Sequence, residues 1–311
     1  MPILRYSGNG KTWRFVLLEH KILEMFSSEN VYPISCTWLP PDLVKEAVQK
    51  LEDINNKVVF ITLMDQYRKE HLPESDRIKY ISSEDFIFWL LAVGEYFQIP
   101  EIEKVLPVSF ENKFLCYQRK VFSSRELLFE TLQNSDGLIT ISNKDFRNLN
   151  IGLDPECGIK EVIPDDEIPE HLMMPNDVFT LGNLEIWNKS FLNIVSETVQ
   201  PLDTIFLSEK TFKPILGMRP FIHYGPPRIE KFLQDKGFET FNEDFGYVPG
   251  NSYEEQAKQI KDIVDHLNIN DLNDLFKQLY PKILHNRNNF NQIVKNEWVI
   301  LKNIIESEYG C

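Results

Sequence analysis

Short apolar runs alternate with helical segments through the second half of the chain. The apolar runs, which are typical of strands buried on both faces of a sheet, are KFLCYQRK (113–120), GLITIS (137–142), SFLNIVSET (190–198), PFIHYG (220–225) and FETF (238–241). Apolar residues recur at helical spacing in SSRELLFETLQ (123–133) and RIEKFLQDKG (228–237). Strands and helices that alternate in this way predict a parallel, doubly wound α/β sheet.

The first hundred residues have a more mixed pattern, and the last 55 are predicted to be helical. The pattern predicts strands at TWRFVLLE (12–19) and NKVVFITLM (56–64), and helices at PDLVKEAVQKLEDI (41–54) and SSEDFIFWLLAVGEYF (82–97). Residues 99–112 contain two prolines and no clear period, which predicts a linker. Residues 145–189 contain four prolines and are predicted to form an irregular insertion.

Composition and charge narrow the classes of protein that fit. The 311 residues, 42% of them hydrophobic, suffice for two domains or one large one. The net charge of −14 argues against a broadly basic nucleic-acid-binding surface, although YRKEH (67–71) and RIKY (77–80) supply local positive charge. No apolar run approaches the length of a membrane span, and the N-terminus lacks the pattern of a signal peptide.

The four cysteines form no CxxC pair, and no histidine lies at metal-ligand spacing from them. The sequence therefore predicts neither a disulfide framework nor a zinc site, and a cytoplasmic protein is expected. SGNGKT (7–12) resembles a phosphate-binding loop, but the glycine that such a loop needs five positions before Gly10 is Arg5. A glycine-rich turn is predicted there instead.

The segment SEKTFKP (208–214) combines features that conflict locally. Ser208 is a favourable N-cap, which places Glu209 and Lys210 in the first turn of a helix. A lysine is unfavourable at that end of the helix dipole, and Pro214 at about the sixth position distorts the helix. Such conflicts are more frequent at functional sites than in scaffold. From spacing alone, a ligand site and a surface Glu–Lys pair are equally consistent with the segment.

Two segments carry a resemblance to a known family. FLSEKTFKPILGMRPFIHYGPPRIEKFLQDKGFETF (206–241) resembles the C-terminal signature of a group of viral and bacterial glycosyltransferases. KFLCYQRKVFSSRELLFETL (113–132) resembles the strand–loop–helix segment of the same group. The group is similar to fucosyltransferases and exostosin-like enzymes with the GT-B fold. The two segments cover about 55 residues, and residues 1–110 carry no resemblance.

The resemblance implies roles for individual side chains in binding a nucleotide-sugar donor. Glu209 is expected to bind the ribose hydroxyls, and Lys210 and Arg125 are expected to bind the diphosphate. Arg119 is a second candidate for the phosphates. Related enzymes generally need no metal, so cationic side chains and a helix N-terminus are expected to stabilise the departing diphosphate.

Two hydroxyl side chains beside this pair, Ser208 and Thr211, are further candidates for contacts with the donor. Beyond the nucleotide sugar itself as co-substrate, no cofactor and no metal are expected.

The resemblance also implies an α/β, GT-B-like architecture of two Rossmann-like domains with a cleft between them. Residues 1–108 are expected to bind the acceptor, residues 109–285 to bind the nucleotide sugar, and residues 286–311 to form a helix that packs back on the N-terminal domain. If the reaction inverts the anomeric centre, a base must deprotonate the acceptor hydroxyl. Asp65, at the end of a predicted strand, is the first candidate for this base, and Glu19 or His20 is the next.

The sequence thus predicts a glycosyltransferase that moves a sugar from a nucleotide-sugar donor to an acceptor hydroxyl. Two acceptors remain open: a glycan, and a hydroxymethylated base of viral DNA. The expected setting is a bacterium or a virus-infected host cell. The alternative is a non-catalytic nucleotide- or carbohydrate-binding protein on a degenerate glycosyltransferase scaffold. The sequence leaves the sugar, the nucleotide and the oligomeric state open.

Overall fold

The protein is a mixed α/β chain that divides into two compact units. The computed structural model describes residues 31–35, 57–62, 78–82, 85–97, 99–118, 121–141, 181–197 and 201–309. The first unit comprises Met1–Glu95, Lys160–Pro175 and Val294–Cys311, and the second comprises Tyr96–Ile159 and Asn176–Ile293. The predicted domain boundaries, and the roles assigned to the domains, stay predictions.

The first unit contains a parallel sheet. Its described strands are β1 (Val31–Ser35), β2 (Lys57–Thr62) and β3 (Ile78–Ser82), hydrogen-bonded in the order β1-β2-β3. β2 confirms the strand predicted at 56–64, whereas β1 and β3 were not predicted. The strand predicted at 12–19 and the helix predicted at 41–54 lie outside the described residues.

A long apolar helix follows these strands in sequence. Helix α1 (Asp85–Tyr96) confirms the helix predicted at 82–97, and Leu90 and Val93 on it are fully buried. A Cβ atom at Gly94 would lie 2.8 Å from a methyl carbon of Val294, so only glycine allows this approach within the first unit.

The second unit is built on another parallel sheet, which confirms the arrangement predicted for the second half of the chain. In the described residues its strands are β4 (Asn112–Cys116), β5 (Leu138–Ile139), β6 (Ser190–Ser196) and β7 (Phe221–Tyr224), in the order β5-β4-β6-β7. Every residue of β6 and β7 is buried, as expected for strands covered on both faces. The helices that follow α1 in the chain are α2 (Ile102–Val105), α3 (Ser123–Leu132), α4 (Leu184–Lys189), α5 (Glu209–Leu216), α6 (Ile229–Asp235), α7 (Asn242–Phe245), α8 (Tyr253–His266) and α9 (Leu272–Tyr309). All of them belong to the second unit except the part of α9 from Val294 onward, which belongs to the first.

Alternation along β7 shows which helices cover each face of this sheet. The Tyr224 hydroxyl donates to the carbonyl of Ser124 on α3 at 2.9 Å, and its ring packs 4.9 Å from the ring of Tyr253 on α8. His223 points to the opposite face, where its Nε2 lies 3.0 Å from Thr211 Oγ1 on α5. The unit therefore has helices on both faces of the sheet, as in doubly wound folds.

One predicted strand of the second unit is wrong. FETF (238–241) is irregular and leads into the short helix α7. The Glu239 N–H donates to Asn286 Oδ1 at 2.7 Å, and Asn286 Nδ2 donates to the Glu239 carbonyl at 2.9 Å. The side chain of a residue on α9 thus occupies the place that a neighbouring strand would take. The short helix α2 likewise lies in the segment predicted as a linker.

The predicted C-terminal helices are confirmed as α8, a 3₁₀ turn at Ile269–Asp271 and α9. Phe290 and Leu301 are buried on the predicted apolar face of α9. Within the described part of the chain, every helix is too short or too polar to cross a lipid bilayer.

Candidate functional site

The carboxyl ends of β4, β6 and β7 meet at one edge of the second unit's sheet, because the strands are parallel. Gln118 lies two residues after β4, Glu197 directly follows β6, and Gly225 directly follows β7. The loop after β6 returns to this edge at Ser208, where α5 begins. Ligands of open α/β sheets bind at such an edge beside helix N-termini. This edge is therefore the candidate site.

The beginning of α5 confirms the predicted N-cap. Ser208 has an extended backbone (φ −119°, ψ −167°), and its side chain accepts a hydrogen bond from the Lys210 N–H at 3.4 Å. Pro214 is the sixth residue of the helix, yet the helix continues to Leu216. Proline has no N–H to donate to the carbonyl four residues earlier, which is that of Lys210. The Lys210 carbonyl, in the first turn of α5, therefore receives no helical hydrogen bond from residue 214.

Glu209 and Lys210 form an ion pair in this first turn. Lys210 Nζ lies 2.5 Å from Glu209 Oε1, and the side chains of Lys210 and Glu209 are 23% and 7% exposed, respectively. Burial by itself raises the pKa of the Glu209 carboxyl, but Lys210 and Lys213 outweigh burial and lower that pKa below its ordinary value. Glu209 is therefore ionised at neutral pH, and the ammonium group is the part of the pair with more access to solvent.

Glu197 is at the centre of the hydrogen bonds that hold this turn. Its carboxylate is buried and accepts from the Ser208 N–H at 2.9 Å, from Ser208 Oγ at 2.6 Å and from Thr211 Oγ1 at 2.8 Å. Glu197 was not predicted as a residue of the site. The one local signal for it is an acidic residue that directly follows an apolar strand, in SFLNIVSE (190–197).

Thr211 connects Glu197 to a buried histidine. Thr211 Oγ1 has a single proton, which it donates to the carboxylate, so Nε2 of His223 must carry the proton that bridges the 3.0 Å to Oγ1. Burial lowers the pKa of His223 from 6.5 to about 3. The imidazole is therefore neutral at physiological pH and serves as a fixed hydrogen-bond donor.

Arg125 is in the same cluster, but it is only 1% exposed. Its Nη2 donates to the carbonyls of Ser196 and Glu197, each at 2.8 Å, and its Nε donates to Ser196 Oγ at 3.3 Å. The guanidinium also lies 5.2 Å from the ring centroid of Phe122. In this arrangement Arg125 fixes the backbone that carries Glu197, and its contact with a phosphate stays a prediction.

A small cavity lies beside His223 at the end of β7. It has a volume of about 10 Å³, and its lining includes Glu230, Thr240 and Asn242. This volume corresponds to about one water molecule. The cavity is too small for a nucleotide.

The structure joins most of the predicted donor-binding residues through hydrogen bonds. The residues connected in this way, through Glu197, are Arg125, Ser208, Glu209, Lys210 and Thr211. Arg119, the second candidate for the phosphates, and Asp65, the candidate base, lie outside the described residues, as do Glu19 and His20. Among the residues that the structure describes, no three His, Cys, Asp or Glu side chains are grouped so that they could hold a metal ion.

No protein-family model matches the chain, and no curated protein and no solved structure was found to match it.

Proposed function

We propose that the protein is a glycosyltransferase that uses a nucleotide-sugar donor. The observation that carries the proposal is the Glu209–Lys210 ion pair in the first turn of α5, at the carboxyl edge of a parallel sheet. The resemblance of residues 206–241 and 113–132 to glycosyltransferases supports it. Because both units contain a parallel sheet, we also propose a GT-B-like fold, with the acceptor domain in residues 1–108.

The two charges of the pair match the chemistry of a nucleoside diphosphate, which has an anionic diphosphate and a ribose diol. The Lys210 ammonium group, together with the N-terminus of α5, supplies positive charge for the diphosphate. The ionised Glu209 carboxylate accepts hydrogen bonds, as a ribose diol would provide. Ser208 and Thr211 are hydrogen-bonded to Glu197, so their main described contribution is to hold the turn in place.

The chemistry at the acceptor is proposed from the sequence. Asp65 is the candidate base that removes the proton of the acceptor hydroxyl in an inverting transfer. The acceptor is a glycan or a hydroxymethylated base of viral DNA. The net charge of −14 weighs mildly against the DNA acceptor, which requires a basic groove.

A non-catalytic nucleotide- or carbohydrate-binding protein is the competing proposal. Slow hydrolysis of a bound nucleotide sugar separates the two, because a binding protein leaves the glycosyl–phosphate bond intact. The Glu209–Lys210 ion pair and the hydrogen bond between Ser208 and the buried Glu197 argue for the enzyme, since a degenerate site would have no need to retain them.

A screen of UDP-, GDP- and CMP-sugars by thermal shift tests the proposal. A donor present at a hundred times its Kd should stabilise the protein by about 2.7 kcal/mol. If none of these nucleotide sugars stabilises the protein, and none is hydrolysed or transferred, the proposed function is wrong.

Substitution of Lys210 by alanine should weaken donor binding by about tenfold to a hundredfold, since a charge-assisted hydrogen bond contributes about 1.5–3 kcal/mol. The affinity is measured by calorimetry with the nucleotide sugar that the screen selects. The free energy of unfolding is measured in parallel, because Glu209 loses its closest cation.

Lys258→Ala, which removes an exposed lysine from α8, is the matched control and should bind the donor like the wild type. Wild-type affinity in the Lys210→Ala variant would show that Lys210 is only a residue of the helix start.

A further inference from the structure

Glu197 determines the direction of the hydrogen bonds around Lys210. A carboxylate can only accept, so the single proton of the Ser208 hydroxyl goes to Glu197 Oε2, 2.6 Å away. The lone pairs of Ser208 Oγ are then left to accept from the Lys210 N–H at 3.4 Å and from Lys210 Nζ at 3.3 Å. The buried carboxylate thereby orients the oxygen that receives the lysine.

We propose that Glu197 is a positioning residue that holds the Lys210 ammonium group in place through Ser208 Oγ. A lysine side chain is long and flexible, and one acceptor alone leaves it free to rotate about that contact. Glu209 Oε1 and Ser208 Oγ together define where Nζ lies. That this position serves donor binding rests on the proposed function, whereas the positioning itself does not.

The surroundings of Glu197 explain why a glutamine would not replace it. Oε1 receives both the Ser208 N–H and the Thr211 hydroxyl, so in Glu197→Gln the amide oxygen would remain at that position. The amide NH₂ group would then face Ser208 Oγ, which would have to accept a hydrogen bond where it now donates one. Ser208 Oγ would then have one lone pair fewer with which to accept hydrogen bonds from Lys210.

Chemical labelling of the lysine tests the positioning without any ligand. The protein is treated briefly with acetic anhydride, and the modification of each lysine is followed by peptide mass spectrometry, with the exposed Lys258 as the internal reference. We expect Lys210 in Glu197→Gln and in Ser208→Ala to react about threefold to tenfold faster than in the wild type. The long 3.3 Å contact with Ser208 Oγ is weakened or lost while the Glu209 carboxylate remains, so the effect is that of an ordinary hydrogen bond.

A double variant tests whether the effect passes through Ser208. In the Ser208→Ala background, Glu197→Gln should cause no further increase in the labelling of Lys210. The matched control is Glu230→Gln, which changes another carboxylate of the same unit that accepts from two side chains, those of Thr240 and Asn242. This control should leave the labelling of Lys210 at the wild-type rate.

Unchanged labelling of Lys210 in Glu197→Gln, or the full increase persisting when Ser208 is already alanine, would overturn the proposal. If Glu197→Gln fails to fold, Ser208→Ala alone is used, since it removes the hydroxyl that joins Glu197 to Lys210 and keeps the Glu197 carboxylate. Unchanged labelling of Lys210 in Ser208→Ala also overturns the proposal.

Measurements of donor affinity separate this proposal from the proposed function. Faster labelling in a protein that binds no nucleotide sugar supports the positioning and contradicts the glycosyltransferase. Normal labelling in variants of a protein that does bind a nucleotide sugar contradicts the positioning alone.

Discussion

Arg219→Ala should lower the free energy of unfolding by about 4 kcal/mol or more, the largest effect expected for a single substitution outside the candidate site. Arg219 is only 2% exposed, at the edge of the second unit's sheet where β6 and β7 begin. Its guanidinium donates to the carbonyls of Val105, Trp187, Ser190, Gly217 and Met218, at distances from 2.8 to 3.2 Å.

The size of this effect follows from the number of groups left without a donor. Arg219 joins α2, α4, the start of β6 and the turn before β7, and it lies 5.7 Å from the ring centroid of Phe110 and 5.9 Å from that of Phe276. Burial lowers its pKa to about 9, so the side chain remains charged at neutral pH. Alanine would leave several buried carbonyls unpaired, and each such group costs about 1–3 kcal/mol.

Urea unfolding measures the loss for Arg219→Ala. Hydrogen exchange of peptides from β6 and β7 tests whether this loss of stability lies in the second unit. The protection of their amides against exchange should fall about a thousandfold. Arg228→Ala, which removes an exposed arginine before α6, is the control and should change stability by less than about 0.5 kcal/mol. A loss below about 1 kcal/mol in Arg219→Ala would mean that water replaces the guanidinium among these carbonyls.

Stability should depend on pH through His223, which is buried and neutral. Burial lowers its folded-state pKa to about 3, whereas the unfolded-state value is near 6.5. Between these values the unfolded state binds a proton that the folded state does not, so stability is complete above about pH 7 and is lost as the pH falls towards 3. Between pH 8 and pH 4 this one group should cost the wild type about 3 kcal/mol.

His223→Gln isolates this contribution from the other acid-sensitive groups. A glutamine amide retains a donor for Thr211 Oγ1 but does not titrate. Urea unfolding at pH 8 and at pH 4 should therefore show the variant gaining about 3 kcal/mol relative to the wild type at the lower pH.

Tyr247→Phe is the matched control for this pH effect. It removes a hydroxyl that donates to the His223 carbonyl at 2.9 Å but keeps the histidine and its burial, so it should retain the wild-type pH dependence, because burial is the cause of the lowered pKa. Parallel stability curves for the wild type and His223→Gln would contradict the prediction.

Local patterns were sufficient for the main features of the second unit and for the start of its candidate site. Strands buried on both faces appear as continuous apolar runs, and this is how β4, β6 and β7 were predicted. The Ser208 cap and the neighbouring Glu209 and Lys210 were predicted because capping depends on residues two or three positions apart.

Strands whose partners are distant in sequence were harder to predict. β1 contains Pro33, which argues against a strand, but β1 is the outer strand of the described sheet, where a missing N–H is tolerated. β3 is short and partly polar, and its regular structure depends on pairing with β2. FETF (238–241) has the composition of a strand. The backbone N–H and carbonyl of Glu239, however, form their hydrogen bonds with the side chain of Asn286, 47 positions later, and not with a neighbouring strand.

Apolar periodicity and capping were enough to predict the parallel α/β sheet of the second half and an acid–base pair at the start of a helix beside it. The surroundings of that pair were not predictable, because Glu197 bonds to a cap 11 positions later and Arg125 bonds to carbonyls more than 70 positions later. Capping and periodicity act within one or two turns, whereas the partner of a buried polar group is set by which strand ends the topology brings to one edge.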